Sequence, residues 1–268
     1  MSVLALCLAG PLQAWGASAR FARRTTENTP TKSGVVGLLA SALGWPRTKN
    51  PSELAALRFG VRVDQPGDRV RDYQTARHLD SGDSMPVSER FYLADAVFVV
   101  GLESDDDALL RRLDGALRAP HFMPYLGRRS CPPSRPLDLG VHPGGLETVL
   151  ESLEWQASPW YQERCTRGPW NEKADAPTRV PAPLPVFVDT PVGHEADELQ
   201  RDLPVSFDPL HRTYRMRGIS NGRPVTKAYG HAGAAPDHDA MAALDLPEGH
   251  EPYVLLDRDD APLTHEGG

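Results

Sequence analysis

Residues 96–118 hold the feature that most narrows what this chain can fold into. The apolar run AVFVVGL is followed almost at once by SDDDALLRRLDGALR, in which leucine recurs at 109, 110, 113 and 117. Seven residues rich in β-branched side chains are strand length, and leucines at three- and four-residue spacing make one apolar helix face. A strand delivered straight into such a helix folds the helix back onto the sheet that the strand belongs to. Ser104 offers an N-cap, Asp105, Asp106 and Asp107 sit at the positive helix end, and the arginines come later, as the macrodipole favours. The three aspartates therefore read as a capping feature rather than a metal cluster.

The first half of the chain repeats this grammar. VLALCLAG near the N-terminus reads as a buried strand, because no basic residue precedes it and no small-residue cleavage site follows, as a secretory signal would require. Thr31 or Ser33 caps a helix running to about Leu43, with Gly44, Trp45 and Pro46 as its stop. A short helix SELAALR and the alternating strand FGVRVD, residues 59–64, come next. A polar stretch between Tyr73 and Tyr92, with SGDS at its centre, reads as a protruding hairpin or arm. The order β-α-β, excursion, β-α predicts an α+β protein with a ferredoxin-like split βαβ unit, the scaffold of RNA-recognition (RRM-like) domains. PVFVDT and RTYRMRGIS suggest a smaller β-rich region beyond it. Residues 155–184 read as loop or insertion, and the stretch after about 220, rich in Gly, Ala, Pro and acids, as partly disordered.

The 268 residues are enough to bury a substantial core, and no apolar run reaches the ~20 residues of a membrane span. Cys7, Cys131 and Cys165 are odd in number and widely spaced, which argues for a reducing, cytoplasmic setting and against disulfides or a cysteine zinc site. The formal net charge of −7 is unevenly spread: residues 1–77 carry eleven Lys/Arg against five Asp/Glu, a net of +6, which leaves −13 for the rest. Residues 230–268 hold nine acids and one arginine. A basic first third on an acidic body points to one face for an anion, although internal ion pairing would give the same totals.

Three segments combine cations with an aromatic or glycine. In FARRTTENTPTKSGVVGLL, Lys32-Ser33 heads a helix, but a phosphate-binding P-loop needs glycine at 26 and 31, where threonine stands. What remains is a helix N-terminus with Arg23, Arg24 and Lys32 upstream, suited to a phosphodiester or else simply capped and solvated. RDYQTAR sets Arg71 and Arg77 around Tyr73 and Gln74, a base-stacking pattern that a surface strand end also produces. FMPYLGRRSCPP places Arg128 and Arg129 after Gly127, with prolines stiffening the exit, and reads as a rigid guanidinium-bearing turn or a tight structural one. The histidines form no metal motif; His78, His121 and His211 are isolated.

PLQAWG, PTKSGVVGLL, RDYQTA, ERFYLADAVFVV and PYLGRRSCPP, in this order and at these separations, resemble the CasD family of RAMP-type subunits of the type I-E CRISPR Cascade complex. The resemblance is close over residues 1 to about 135 and thins to an echo near YRMRGI. It implies a ferredoxin-like RAMP domain over 1–150 with an inserted β-hairpin thumb at about 73–92, a β-rich region over 151–220 and an acidic tail over 221–268. It further implies a crRNA-binding subunit that recognises the 5′ handle of the crRNA and contacts the backbone and large subunits of the complex. Target DNA would be met only through the assembled complex; no cofactor, metal or membrane is implied. Gln13, Trp15, Arg20, Arg23, Arg24, Lys32, Ser33, Arg71, Tyr73, Gln74, Arg77, Tyr125, Gly127, Arg128 and Arg129 would then form the RNA-binding set. In that set the cations would hold phosphates, while Trp15, Tyr73, Tyr125 and the Gln74 amide read splayed bases.

Relatives in another subtype cleave repeat RNA, which makes a metal-independent CRISPR repeat endoribonuclease the alternative. Such an enzyme would need a general base near the 2′-hydroxyl and a cation to steady the phosphorane. The four lysines, at 32, 49, 173 and 227, are sparse for that purpose. A third reading is an assembly factor whose arginines bind acidic protein partners.

Overall fold

The apolar N-terminal run becomes β1 (Ser2–Ala9), whose side chains are buried on both faces. Leu4, Leu6 and Leu8 point into one core and Val3 into another. A strand without a polar face requires a layer on each side of the sheet, and the rest of the chain supplies them. The computed structural model describes residues 1–17, 23–166 and 182–227. By its contacts the chain divides into residues 1–229 and 230–268, and the latter lie outside the described residues.

After β1 come two short strands, β2 (Leu12–Gln13) and β3 (Arg23–Arg24). Helix α1 (Lys32–Ala42) is capped by Thr31, whose side-chain oxygen accepts a bond from the Gly34 N–H at 3.2 Å. A short α2 (Ser52–Ala55) leads into β4 (Arg58–Gln65). Strands β5 (Asp68–Gln74) and β6 (Ser88–Ala94) form an antiparallel hairpin, and β7 (Val97–Ser104) returns to the main sheet. Helix α3 (Asp107–Arg118) buries Leu109, Leu110, Leu113 and Leu117, each worth about 2 kcal/mol of apolar burial. Its cap is Asp106 rather than Ser104: the Asp106 carboxylate accepts from the Leu109 N–H at 2.9 Å, and Ser104 Oγ accepts from the Asp106 N–H at 3.0 Å. A carboxylate at that position satisfies an orphan donor and also meets the helix dipole.

Strand β8 (Asp138–Pro143) and helix α4 (Leu146–Ser152) follow, neither of them signalled by the sequence pattern. Helix α5 (Pro159–Thr166) stands where a loop was expected. Proline is well tolerated at the first position of a helix, where its missing N–H is not needed, so it opens this helix instead of breaking it. Strands β9 (Val186–Asp189), β10 (Glu198–Ser206) and β11 (Thr213–Asn221) complete the described elements.

The result is a mixed α/β architecture around a large, wholly antiparallel seven-stranded sheet, ordered β10-β11-β9-β4-β7-β1-β8. Helices α1 and α3 pack on one face. Helix α4, with Trp155 and Ala157, covers the other. The C-terminal strands are no separate layer, since β9 pairs with β4 from Gly60↔Val188 to Arg62↔Val186. The β5–β6 arm continues the β4–β7 ladder after a bend at residues 65–67 and 94–96, and β2 and β3 pair along the free edge of β6. Among the described residues no helix is long and apolar enough to cross a membrane.

Candidate nucleic-acid interface

A cleft of about 1170 Å³ opens along the outer side of α1. Its wall carries Arg24, Arg47, Lys49, Arg128, Arg129 and Arg212, and among the described residues that line it there is neither a carboxylate nor a histidine. Six cations without a counter-charge raise the local anion concentration strongly. Aromatic side chains alternate with them: Trp45, Phe122, Tyr125, Phe207 and Tyr214. Lys49 Nζ lies 3.5 Å from the Trp45 ring centroid.

The helix floor of the cleft follows from the sequence of α1. Val35, Val36, Leu38, Leu39 and Ala42 are buried in the core, which leaves Ser33, Gly37 and Ser41, four residues apart, on the cleft side. A Cβ at Gly37 would meet only Phe207 Cζ, at 3.8 Å. Gly37 therefore leaves room for a methyl group at ordinary contact distance from Phe207.

The arginine-bearing turn is held from behind. Gly127 has φ +83, and a methyl group there would run into the Ala14 carbonyl oxygen. Ala14 N–H donates to Leu126 O at 3.1 Å, which ties the 122–133 segment to the 11–16 loop. That loop is fastened in turn by Gln13, fully buried, whose Nε2 donates to Leu8 O at 3.0 Å and Ala96 O at 2.7 Å and whose Oε1 accepts from Trp15 Nε1 at 3.0 Å. Trp15 is 1% exposed and packs on the helix backbone at Gly34. Gln13, expected in the RNA-binding set, and Trp15, expected to meet a base, are placed here as the scaffold under the turn, because their polar side-chain atoms are already paired inside the fold.

Arg128 sits on this scaffold with its guanidinium 4.5 Å from the Tyr92 ring centroid and Nη2 donating to Arg24 O at 2.9 Å. Its Nη1 is buried without a hydrogen-bond partner among the described residues. Arg129 beside it is exposed.

Lys32 is placed quite differently from the expectation that it holds a phosphate. It is 4% exposed, and its Nζ pairs with Asp189 at 2.7 Å. Burial pulls its pKa below the ordinary lysine value while Asp189 opposes the shift. The helix N-terminus is occupied as well, since the Lys32 N–H donates to Asp202 Oδ2 at 2.7 Å and the Gly34 N–H to Thr31. Two of the three leading donors are satisfied internally, so the phosphate-binding reading of this helix end gives way to a structural one.

The arm residues lie outside the cleft lining. Tyr73 is 54% exposed with the Arg71 guanidinium 5.0 Å from its centroid. Gln74 Nε2 donates to Asp72 Oδ2 at 2.7 Å, and Arg77 is bridged to Ser84 toward the tip. Arg23, on β3, stands 5.3 Å from the Phe91 centroid and 3.9 Å from a Glu89 carboxylate oxygen. Arg20 lies outside the described residues. Of the expected set, then, the cleft gathers Arg24, Ser33, Tyr125, Gly127, Arg128 and Arg129 over the Trp15 floor.

Sequence reasoning passed over Arg47, Lys49 and Arg212. Arg47 and Arg212 each stand two residues from an aromatic and Lys49 four, in WPRTK and RTY, close to the pattern that drew attention elsewhere. Both segments had been read only for their backbone role, as a helix stop and a strand.

A family model described as CRISPR-associated protein (Cas_Cas5) matches residues 3–219. The chain is 40% identical over 160 residues to the CRISPR system Cascade subunit CasD of Escherichia coli strain K12, an alignment covering 52% of this chain and 71% of that protein. Among solved structures, a Cas protein superposes with a TM-score of 0.61 at 35% identity, over 84% of this chain and 98% of its own. A chain of a CRISPR RNA-guided surveillance complex gives the same TM-score at 28% identity, over 84% of this chain and 90% of its own.

Proposed function

We propose, from the premise that the chain belongs to the CRISPR-associated Cas5 family, that it is the Cascade subunit that holds the 5′ handle of the crRNA. The single observation that carries this reading is the carboxylate-free cationic cleft assembled from segments near residues 24, 47–49, 128–129 and 212. Cations at that density fit a polyanion, and aromatics between them fit unpaired bases, the usual target of sequence-specific RNA recognition. The backbone and large subunits of the complex are its protein partners, and target DNA is met only through the assembly. The compartment is the cytoplasm.

The strand order β8-β1-β7-β4, with α1 linking β1 to β4 and α3 linking β7 to β8, supports reading the first 150 residues as a ferredoxin-like RAMP domain. On this reading β5–β6 is the inserted thumb, 151–220 the β-rich continuation and 221–268 the acidic tail. We read the subunit as binding RNA without cutting it. A metal-independent nuclease needs a general base beside the scissile phosphate, and the described cleft lining offers neither histidine nor carboxylate, which leaves Tyr125, Tyr214 and Lys49 as the groups that could serve one.

Purified protein is titrated with fluorescent handle-bearing RNA in EDTA across a salt series. Tight, salt-sensitive binding without RNA shortening is expected. A discrete cleavage product establishes the endoribonuclease alternative instead. No binding, together with retained assembly of the complex, establishes the assembly-factor reading.

A further inference from the structure

We infer that the β10–β11 turn, residues 207–214, is a working wall of the RNA cleft, with Arg212 holding a phosphate and Phe207 and Tyr214 forming an apolar platform for a base. The inference rests on the handle-binding reading and assigns part of that site to a region in which no motif had pointed to RNA.

Three observations carry it. Arg212 is exposed on the cleft side, opposite the Ser33, Gly37 and Ser41 face of α1, and the described cleft lining holds no carboxylate to neutralise it. Phe207 and Tyr214 stand edge to face with centroids 6.5 Å apart and line the same opening. A guanidinium beside an aromatic pair is a chemistry suited to a stacked nucleotide.

The third observation is how the turn is held. Its two strands are bolted to the α1 N-terminus by a buried charge network. Arg217 of β11 donates to Asp202 of β10, Nε to Oδ1 at 2.7 Å and Nη2 to Oδ2 at 2.8 Å, and its Nη1 donates to Asp189 at 2.8 Å. Asp202 also receives the Lys32 N–H, and Asp189 receives Lys32 Nζ and the Phe59 N–H at 3.0 Å. On β11 Arg217 is 8% exposed and bonded inward, while Tyr214 of the same strand and Arg212 just before it line the cleft. A surface turn that only closes a hairpin needs no such anchoring. A wall whose distance from α1 sets the width of a nucleotide slot does.

The test uses full-length protein and fluorescent handle RNA. Arg212→Glu is compared with Arg128→Glu/Arg129→Glu and with Arg223→Glu, an equal charge change at an exposed residue outside the cleft. Arg212→Glu is expected to weaken binding about tenfold and to reduce the slope of log affinity against log salt by roughly 0.7, the share of one single-strand phosphate. Phe207→Ala/Tyr214→Ala is expected to lose about tenfold affinity with little change in that slope. Arg223→Glu is expected to leave both readouts unchanged. An Arg212→Glu protein that binds like the parent, while the Arg128/Arg129 variant is weakened, overturns the wall and leaves the handle-binding reading standing. If the Arg128/Arg129 variant also binds like the parent, the handle does not lie in the cleft, and the wall falls with that placement. Arg212 is exposed, so the melting temperature of its variant is expected to match the parent and separates lost contact from lost fold.

Discussion

The cleft and the arm carry the same sequence signature, arginines close to a tyrosine, yet they are built in opposite ways. In the cleft two walls stand on something buried: Arg128 on Tyr92 and the Gly127 turn, the turn on Gln13 and Trp15, and the far wall on Lys32, Asp189 and Asp202. On the arm, Arg71, Tyr73 and Arg77 project from a hairpin whose residues are mostly exposed, and the Gln74 side-chain amide donates to Asp72 on the same strand. A cluster of cations and aromatics therefore does not by itself say whether a surface is preorganised. What lies beneath it does, because an ordered side chain loses less entropy on binding.

The largest expected break in this contrast is at Asp189. Asp189→Ala leaves the Lys32 ammonium buried without its counter-ion and is expected to cost about 3–5 kcal/mol in denaturant unfolding. Asp72→Ala on the arm is expected to change stability by less than about 0.5 kcal/mol. Equal losses would mean that the arm is as internally braced as the cleft.

The glycines sharpen the comparison. Gly127 and Gly82 both have positive φ, +83 and +71, but a Cβ at Gly82 would meet nothing within 4 Å. Gly127→Ala is expected to cost about 3 kcal/mol or more, from left-handed strain plus collision with the Ala14 carbonyl. Gly82→Ala is expected to cost about 1 kcal/mol, from strain alone. Thermal melts of the two variants decide whether the collision matters.

Binding comes next in size. Charge reversal of Arg128 and Arg129 is expected to weaken handle RNA by about 100-fold, as for loss of two charge-assisted contacts. Reversal of Arg71 and Arg77 is expected to cost about tenfold or less, because those side chains pay more ordering entropy on contact. A reversed ranking would move the principal RNA path from the cleft to the arm.

The smallest effect concerns the helix floor. Gly37→Ala, with 3.8 Å to its nearest neighbour, is expected to stabilise the protein by about 0.5–1 kcal/mol through helix propensity. Gly37→Leu is expected to lower RNA affinity without lowering the melting temperature, since its side chain enters the cleft.

Much of the framework was legible in the chain. Continuous apolar runs marked β1 and β7, leucine spacing marked α3, and Thr31 or Ser33 marked the start of α1, because each of these signals is local. Strand β8 and helix α4 were missed because their segments are short and only partly apolar. Helix α5 was missed because prolines were counted as breakers when one of them opens the helix. The ordered motifs were enough to indicate the family, and the family match extends to residue 219, well past the 135 where the motifs stop being obvious.

The residues near 24 and 128–129 announced cations for an anion from composition and spacing alone, since charge and turn chemistry are properties of the sequence. Whether a given polar residue faces the ligand or the core was decided only in three dimensions. Lys32 looked free until strands more than 150 residues away brought Asp189 and Asp202 to it. Arg212 looked incidental until the same strands set it across from α1. Pairing between distant segments has no local signature, and in this chain it separates the charges that hold the fold from those left for a partner.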